Sequence, residues 1–144
     1  MRLMNRTYRN LLLIAFAWLV AIAATSGSLY YSQIRHFIPC ELCWYQRIFM
    51  YPLVLILGIA TYYNDARVRR YALPMALVGI VFSTLHYAEQ MIPGFAPTAC
   101  AATPIPCNVT YVKYYGFITI ALMAWTAFAL IILALWFVRE EPSD

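Results

Sequence analysis

The sequence predicts an all-α, polytopic membrane protein: a four-transmembrane-helix bundle with both termini cytoplasmic. Three observations carry this. Charged residues make up 11% of the chain and hydrophobic ones 64%, whereas a water-soluble domain is about 25% charged. Residues 10–34, 48–64 and 114–138 are free of charge, and a bilayer-spanning helix needs about 20 apolar residues. The basic residues are not gathered in one patch but stand at the ends of these runs, which is how lipid-bounded helices are punctuated. That distribution also excludes a nucleic-acid partner, which would need a basic face with interleaved aromatics, and it makes membrane lipid the surroundings of the chain.

The spans are expected at about 11–31, 43–63, 71–90 and 114–138, forming a single four-helix membrane domain over 1–144. A cleaved signal peptide competes for the first, with small residues at 21–24. The apolar run, however, continues through Leu29, Tyr30 and Tyr31, beyond the usual h-region of about 7–15 residues. Residues 33–39 form a loop closed by Pro39, which can open the second helix. Pro52 lies inside that helix as an expected kink. Residues 64–70 form a polar, basic turn, and Pro74 is expected in the first turn of the third helix. Residues 92–113 carry Pro93, Gly94, Pro97, Pro104 and Pro106 and read as an irregular loop. Seven basic residues (Arg2, Arg6, Arg9, Arg67, Arg69, Arg70, Arg139) fall on one side and three (Arg35, Arg47, Lys113) on the other. The excess places both termini in the cytoplasm and both cysteine pairs, Cys40/Cys43 and Cys100/Cys107, outside, where disulfides persist.

The chemistry is concentrated at the start of the second span, in Cys40-Glu41-Leu42-Cys43-Trp44-Tyr45-Gln46-Arg47. Offsets of three and seven return to one side of a helix, so Cys40, Cys43 and Arg47 share a face. Arg47 is expected to reach back toward Cys43. A cation and a helix N-terminus both favour the thiolate, the reactive form of cysteine. An arginine about one turn below the membrane surface reads as functional. Haem attachment would need histidine where Trp44 stands. No metal is expected, because a zinc site of four thiolates is disfavoured in an oxidising space. Structural disulfides remain the bland alternative, but a bond across three residues at a helix start is a strained ring, and strained disulfides are the labile ones. Cys100 and Cys107 flank a proline-bearing segment expected to stay exposed. His86 and Glu89, three apart near the outer end of the third helix, are candidates for proton transfer, and Glu89 for neutralising Arg47.

These features together resemble the DsbB-type disulfide-bond-forming membrane proteins. The stretch Phe37-Ile38-Pro39-Cys40-Glu41-Leu42-Cys43-Trp44-Tyr45-Gln46-Arg47 is similar to the signature of the shorter, BdbC-like subfamily of Gram-positive bacteria. The resemblance implies a quinone-reducing protein-disulfide oxidoreductase of the bacterial cell membrane. Its catalytic cysteines would be Cys40, Cys43, Cys100 and Cys107, with disulfides Cys40–Cys43 and Cys100–Cys107 on the extracytoplasmic side. It would reoxidise a DsbA/BdbD-like thioredoxin-fold partner that attacks Cys100. Electrons would pass through Cys43 to a membrane quinone, menaquinone or ubiquinone, and so to the quinone pool and respiratory chain. Arg47 and Cys43 would form the quinone site, with His86 and Glu89 as further candidates. Two other readings compete: a vitamin-K-epoxide-reductase-like quinone reductase, whose cysteine pair belongs near the last helix, and a non-enzymatic scaffold, which leaves Arg47 unexplained.

Overall fold

Four helices, α1 (Arg2–Leu29), α2 (Glu41–Tyr63), α3 (Arg69–Met91) and α4 (Ile120–Phe137), account for most of the computed structural model, which describes residues 1–92, 94–95, 107 and 109–140. Each is long and apolar enough to cross a membrane. Among the described residues there is no strand, only an isolated bridge between Tyr114 and Ile118. Cys100 lies outside the described residues.

The helices form a ring, with α1 and α3 each packed on both α2 and α4. α1 has 28 residues, about 42 Å at about 1.5 Å per residue. It begins well ahead of the expected span, carries Arg2, Arg6 and Arg9 in its opening turns, and runs on into a π-helical turn, Tyr30–Ile34. α3 starts at Arg69 behind a short 3-10 turn, Ala66–Val68, so the expected polar turn is partly helical. Asp65 caps that turn by accepting a 2.9 Å hydrogen bond from the Arg67 N–H. Pro74 consequently lies in the second turn of α3, not the first, and Pro52 sits within an α2 that continues past it.

The fourth helix differs most from expectation. Residues 114–119 read as span because they are aromatic and apolar, yet Tyr115 (φ 52°) and Gly116 (φ 86°) are left-handed, and the helix begins only at Ile120. Glycine makes such a turn accessible. The Thr119 hydroxyl then caps α4, accepting from the Leu122 N–H at 3.3 Å.

The core fills the half of the ring away from Cys40, around Ile14, Leu53, Leu57, Phe128, Ile131 and Leu135. Ala72, Ala76 and Gly79 let α3 approach closely, and a Cβ at Gly79 would collide with the Phe128 ring. Small residues are how lipid-bounded helices gain contact, since apolar bulk alone gives no advantage over lipid. At this end the chain is tied across its length. Asn10 Nδ2 donates to the Arg139 carbonyl (2.7 Å) and Oδ1 accepts from the Arg139 N–H (3.3 Å). Arg69 donates to the Val138 carbonyl at 2.9 Å, and Arg70 pairs with Glu140 at 2.6 Å. The first helix, the 64–70 turn and the C-terminal segment therefore meet at one end, opposite Cys40.

Candidate functional site: a buried dithiol beside an apolar cavity

The inner face of α2 is Leu42, Gln46, Met50, Leu53, Leu57 and Ala60, spaced by threes and fours as helix packing requires. That of α3 is Ala72, Ala76, Gly79, Ser83, His86 and Glu89. Both stripes are apolar at the tied end and polar at the other. Where their polar parts meet stand the two cysteines that open α2.

Cys40 is the N-cap of α2 and is buried; Cys43, one turn on, is half-buried. Their sulfurs lie 3.2 Å apart, a hydrogen-bond contact rather than the about 2.05 Å of a disulfide. Both are free cysteines here, in contact and on the same side of the helix start, where the expected Cys40–Cys43 bond would join them. The hydrogen bond shared with Cys43 outweighs burial and, with the His86 contact, holds the Cys40 thiol down to about 4. The shift is toward the thiolate, and the position of Cys40 at the helix N-terminus favours the same form.

His86, one of the weaker candidates in the sequence, proves central. It is buried, with Nε2 3.5 Å from Cys40 Sγ and Nδ1 3.9 Å from Cys43 Sγ. Gln46 Nε2 stands 3.0 Å from Nδ1, and the Gln90 amide 3.3 Å from Nε2. A neutral imidazole carries one N–H and cannot accept from both amides. We assign Nδ1 as acceptor from Gln46, which leaves the Nε2–H directed at Cys40. This requires the Gln90 amide to turn its oxygen toward Nε2. The shorter contact, from Gln46, thus favours the imidazole tautomer that donates to the Cys40 sulfur.

Arg47 does not reach Cys43. Its Nε donates to Ser28 Oγ (3.0 Å) and Nη2 to the Ser28 carbonyl (3.3 Å), while the guanidinium lies over the Trp44 ring at 5.3 Å. Tyr51 donates to the same Ser28 hydroxyl at 3.3 Å. The physical reason is the packing of α1 on α2: it brings two oxygens of Ser28 within reach, both acceptors, whereas a thiol offers one weak one. Nor does Glu89 neutralise Arg47; the salt bridge among the described residues is Arg70–Glu140. Glu89 is buried, and its Oε2 has no hydrogen-bond partner among the described residues.

A cavity of about 410 Å³ opens beside this cluster, bounded by α1, α2, α3, α4 and the 109–112 segment. Cys40, Cys43, Gln46, Arg47 and His86 line it together with apolar groups such as Met50; Glu89 is not among its lining residues. A stack of Tyr31, Phe37 and Tyr111, with centroids 5.9 and 4.8 Å apart, holds the 35–40 loop against the segment before α4.

Cys107 gives the largest departure from expectation. Its prolines and polar neighbours suggested exposure, yet it is 2% exposed and packs in one buried cluster with Cys40 and Leu42. It is disulfide-bonded. Ser28 and Gln90 stand in no motif of the sequence, and Gln46 and Trp44 stand in the cysteine motif, which gives them no role in the site. Gln46 was the findable one, as the lone amide in the apolar inner stripe of α2.

The family model described as disulfide bond formation protein DsbB matches residues 8–139. The chain belongs to the DsbB family. Disulfide bond formation protein C of Bacillus subtilis is 53% identical over 128 residues, 89% of this chain and 93% of the relative. A probable disulfide formation protein C of Halalkalibacterium halodurans is 45% identical, covering 96% of this chain and all of the relative. A probable disulfide formation protein of Coxiella burnetii is 49% identical over 78% of this chain and 77% of its own. No solved structure matches the chain. As a DsbB-family protein, the chain is a membrane-embedded thiol–disulfide oxidoreductase that supports disulfide bond formation.

Proposed function

We propose that this protein reoxidises an extracytoplasmic, thioredoxin-fold dithiol partner and delivers the electrons to a membrane quinone. One observation carries the reading: Cys107 is buried against Cys40, while Cys40 and Cys43 line a largely apolar cavity on their other side. The inner pair stands between a sulfur donor and a lipid-like volume.

The relay is a series of thiol–disulfide exchanges. A partner thiolate attacks Cys100 of a Cys100–Cys107 disulfide and expels Cys107. Cys107 attacks Cys40 of the oxidised inner pair, and Cys43 leaves as thiolate. The partner's second thiol releases Cys100 and departs oxidised. Cys100 then attacks Cys107, restoring the outer disulfide and leaving Cys40 and Cys43 reduced.

The cavity suits a quinone ring: its surface is mainly apolar, with Arg47, His86, Gln46 and the two cysteines among the polar groups that line it. A bound quinone supplies an acceptor for two electrons and two protons. Toward it, Arg47 holds a permanent charge steadied by Ser28 and Trp44, a preorganised donor for developing negative charge on oxygen. His86 holds a proton on Nε2 beside Cys40. The seven-to-three basic asymmetry, with the 64–70 turn and both chain ends gathered at the end opposite Cys40, supports cytoplasmic termini and an outward-facing cysteine end. We read residues 1–144 as one membrane domain.

The deciding experiment is quinone reduction by the purified protein with a reduced thioredoxin-fold partner, repeated with each cysteine replaced. All four single replacements should abolish steady-state turnover. Cys107→Ala should accumulate a reducible adduct with the partner, and Cys100→Ala should not. Turnover that survives loss of Cys43 would refute the reading.

A further inference from the structure

The reduced inner pair also has the composition of a metal site. We propose that Cys40 Sγ, Cys43 Sγ and one imidazole nitrogen of His86 bind a thiophilic divalent cation of the zinc class, and that this ion traps the pair in its reduced form.

The three donors lie within 4.8 Å of one another. Zinc–sulfur bonds of about 2.3 Å and zinc–nitrogen bonds of about 2.0–2.1 Å place tetrahedral donors about 3.5–3.8 Å apart. Cys40 Sγ lies 3.5 Å from His86 Nε2, Cys43 Sγ lies 3.9 Å from the other ring nitrogen, Nδ1, and the sulfurs are 3.2 Å apart. Parting the sulfurs by about half an ångström and turning the imidazole so that one nitrogen faces both completes the geometry; Cys40 and Cys43 stand at the N-cap and in the first turn of α2, where side-chain rotation supplies the sulfur movement. The fourth position faces the cavity, open to a water or an amide oxygen.

Electrostatics favour the same occupant. A divalent ion on two thiolates makes a neutral cluster, so its burial escapes most of the desolvation cost that an unpaired charge incurs. The thiol protons displaced on binding leave to solvent. Arg47 commits its guanidinium to Ser28 and Trp44 and makes no hydrogen bond to either sulfur among the described residues. Gln46 supplies the outer shell: if the ion takes Nε2, the Nδ1–H can donate to the Gln46 amide oxygen after the amide turns. The site is redox-gated, because a Cys40–Cys43 disulfide retains neither thiolate ligand. It differs from the four-cysteine arrangement that the sequence disfavours, since only the inner pair takes part.

Binding itself is independent of the function proposed above; only its effect on turnover rests on that reading. The test uses full-length protein with Cys100→Ser and Cys107→Ser, which removes competing thiols. With the inner pair reduced, Co2+ should give tetrahedral visible bands and sulfur-to-cobalt charge transfer at one ion per chain, and Zn2+ should displace them. His86→Ala should weaken binding by at least about tenfold, and Gln46→Ala by about tenfold, as outer-shell losses do. No such bands from the reduced pair, or equal bands after its oxidation or in a Cys40→Ser/Cys43→Ser protein, would overturn the site. In the four-cysteine protein, Zn2+ should suppress quinone reduction. Cobalt bands without zinc inhibition would overturn the trap alone, whereas cobalt bands in a protein that never reduces quinone would overturn the function instead.

Discussion

The two halves of the α3 inner face use one helical register for opposite purposes. Toward the tied end, Ala72, Ala76 and Gly79 present almost no side chain, and α4 closes on them until Phe128 covers Gly79. Toward the cysteine end, Ser83, His86 and Glu89 occupy the same stripe and carry polar atoms into an equally buried setting. The first half gains stability from close packing. The second half gives some of it up, because buried polar atoms that lack a full set of partners cost free energy. Ser83 Oγ and Glu89 Oε2 lack any among the described residues. Such a gradient along one helix marks where the fold tolerates instability for the sake of chemistry.

The sharpest way to test that contrast is at Arg47, which serves the polar half and leaves the packed half untouched. Arg47→Ala should lower quinone turnover or affinity about tenfold to a hundredfold, the equivalent of about 1.5–3 kcal/mol for one charge-assisted contact. Arg47→Lys should fall between, since an ammonium cannot make both bonds to Ser28 while stacked on Trp44. Unchanged quinone kinetics in Arg47→Ala would remove Arg47 from the site.

Gly79→Ala reverses the pattern. The added methyl meets the Phe128 ring, so overpacking should cost about 1–3 kcal/mol of stability, with little change in activity per folded molecule. Thermal unfolding in detergent measures it, and Phe128→Leu in the same chain should recover part of the loss. A Gly79→Ala protein as stable as the parent would show that α3 and α4 do not meet this closely.

A smaller effect should appear in the reactivity of Cys40. Its thiol is lowered to about 4, chiefly by the hydrogen bond shared with Cys43. Alkylation follows the thiolate, so with the outer cysteines replaced its rate should stay level from about pH 8 to about pH 5 and fall only below that. Cys43→Ala should move the fall upward, toward the ordinary thiol range. A rate that already falls steadily from about pH 8 downward, as for an unassisted thiol of pKa about 8.5, would contradict the lowering of the Cys40 thiol.

The least change is expected at Ser83. Its hydroxyl is buried without a partner among the described residues, so Ser83→Ala should be neutral or stabilising by up to about 1 kcal/mol. Marked loss of turnover in this variant, measured by the same quinone assay, would mean that the hydroxyl is used in catalysis.

The spans and the redox motif could be read from the chain because they depend on properties a sequence carries locally. Charge-free length dictates a lipid-bounded helix, and cysteines three apart share a helical face whatever surrounds them. Helix ends were less legible: Tyr114 to Ile118 is as apolar as a span, and only the left-handed Tyr115 and Gly116 delay α4 to Ile120. The partners of each site residue were decided by tertiary structure alone. Arg47 meets Ser28 from 19 positions away and Cys40 meets His86 from 46, separations at which no spacing rule links two side chains. Likewise Cys107, which its own neighbours would leave in water, is buried because the head of α2 lies beneath it. Local sequence sets helix, face and reactive group, whereas which faces meet is a property of all four helices packing at once.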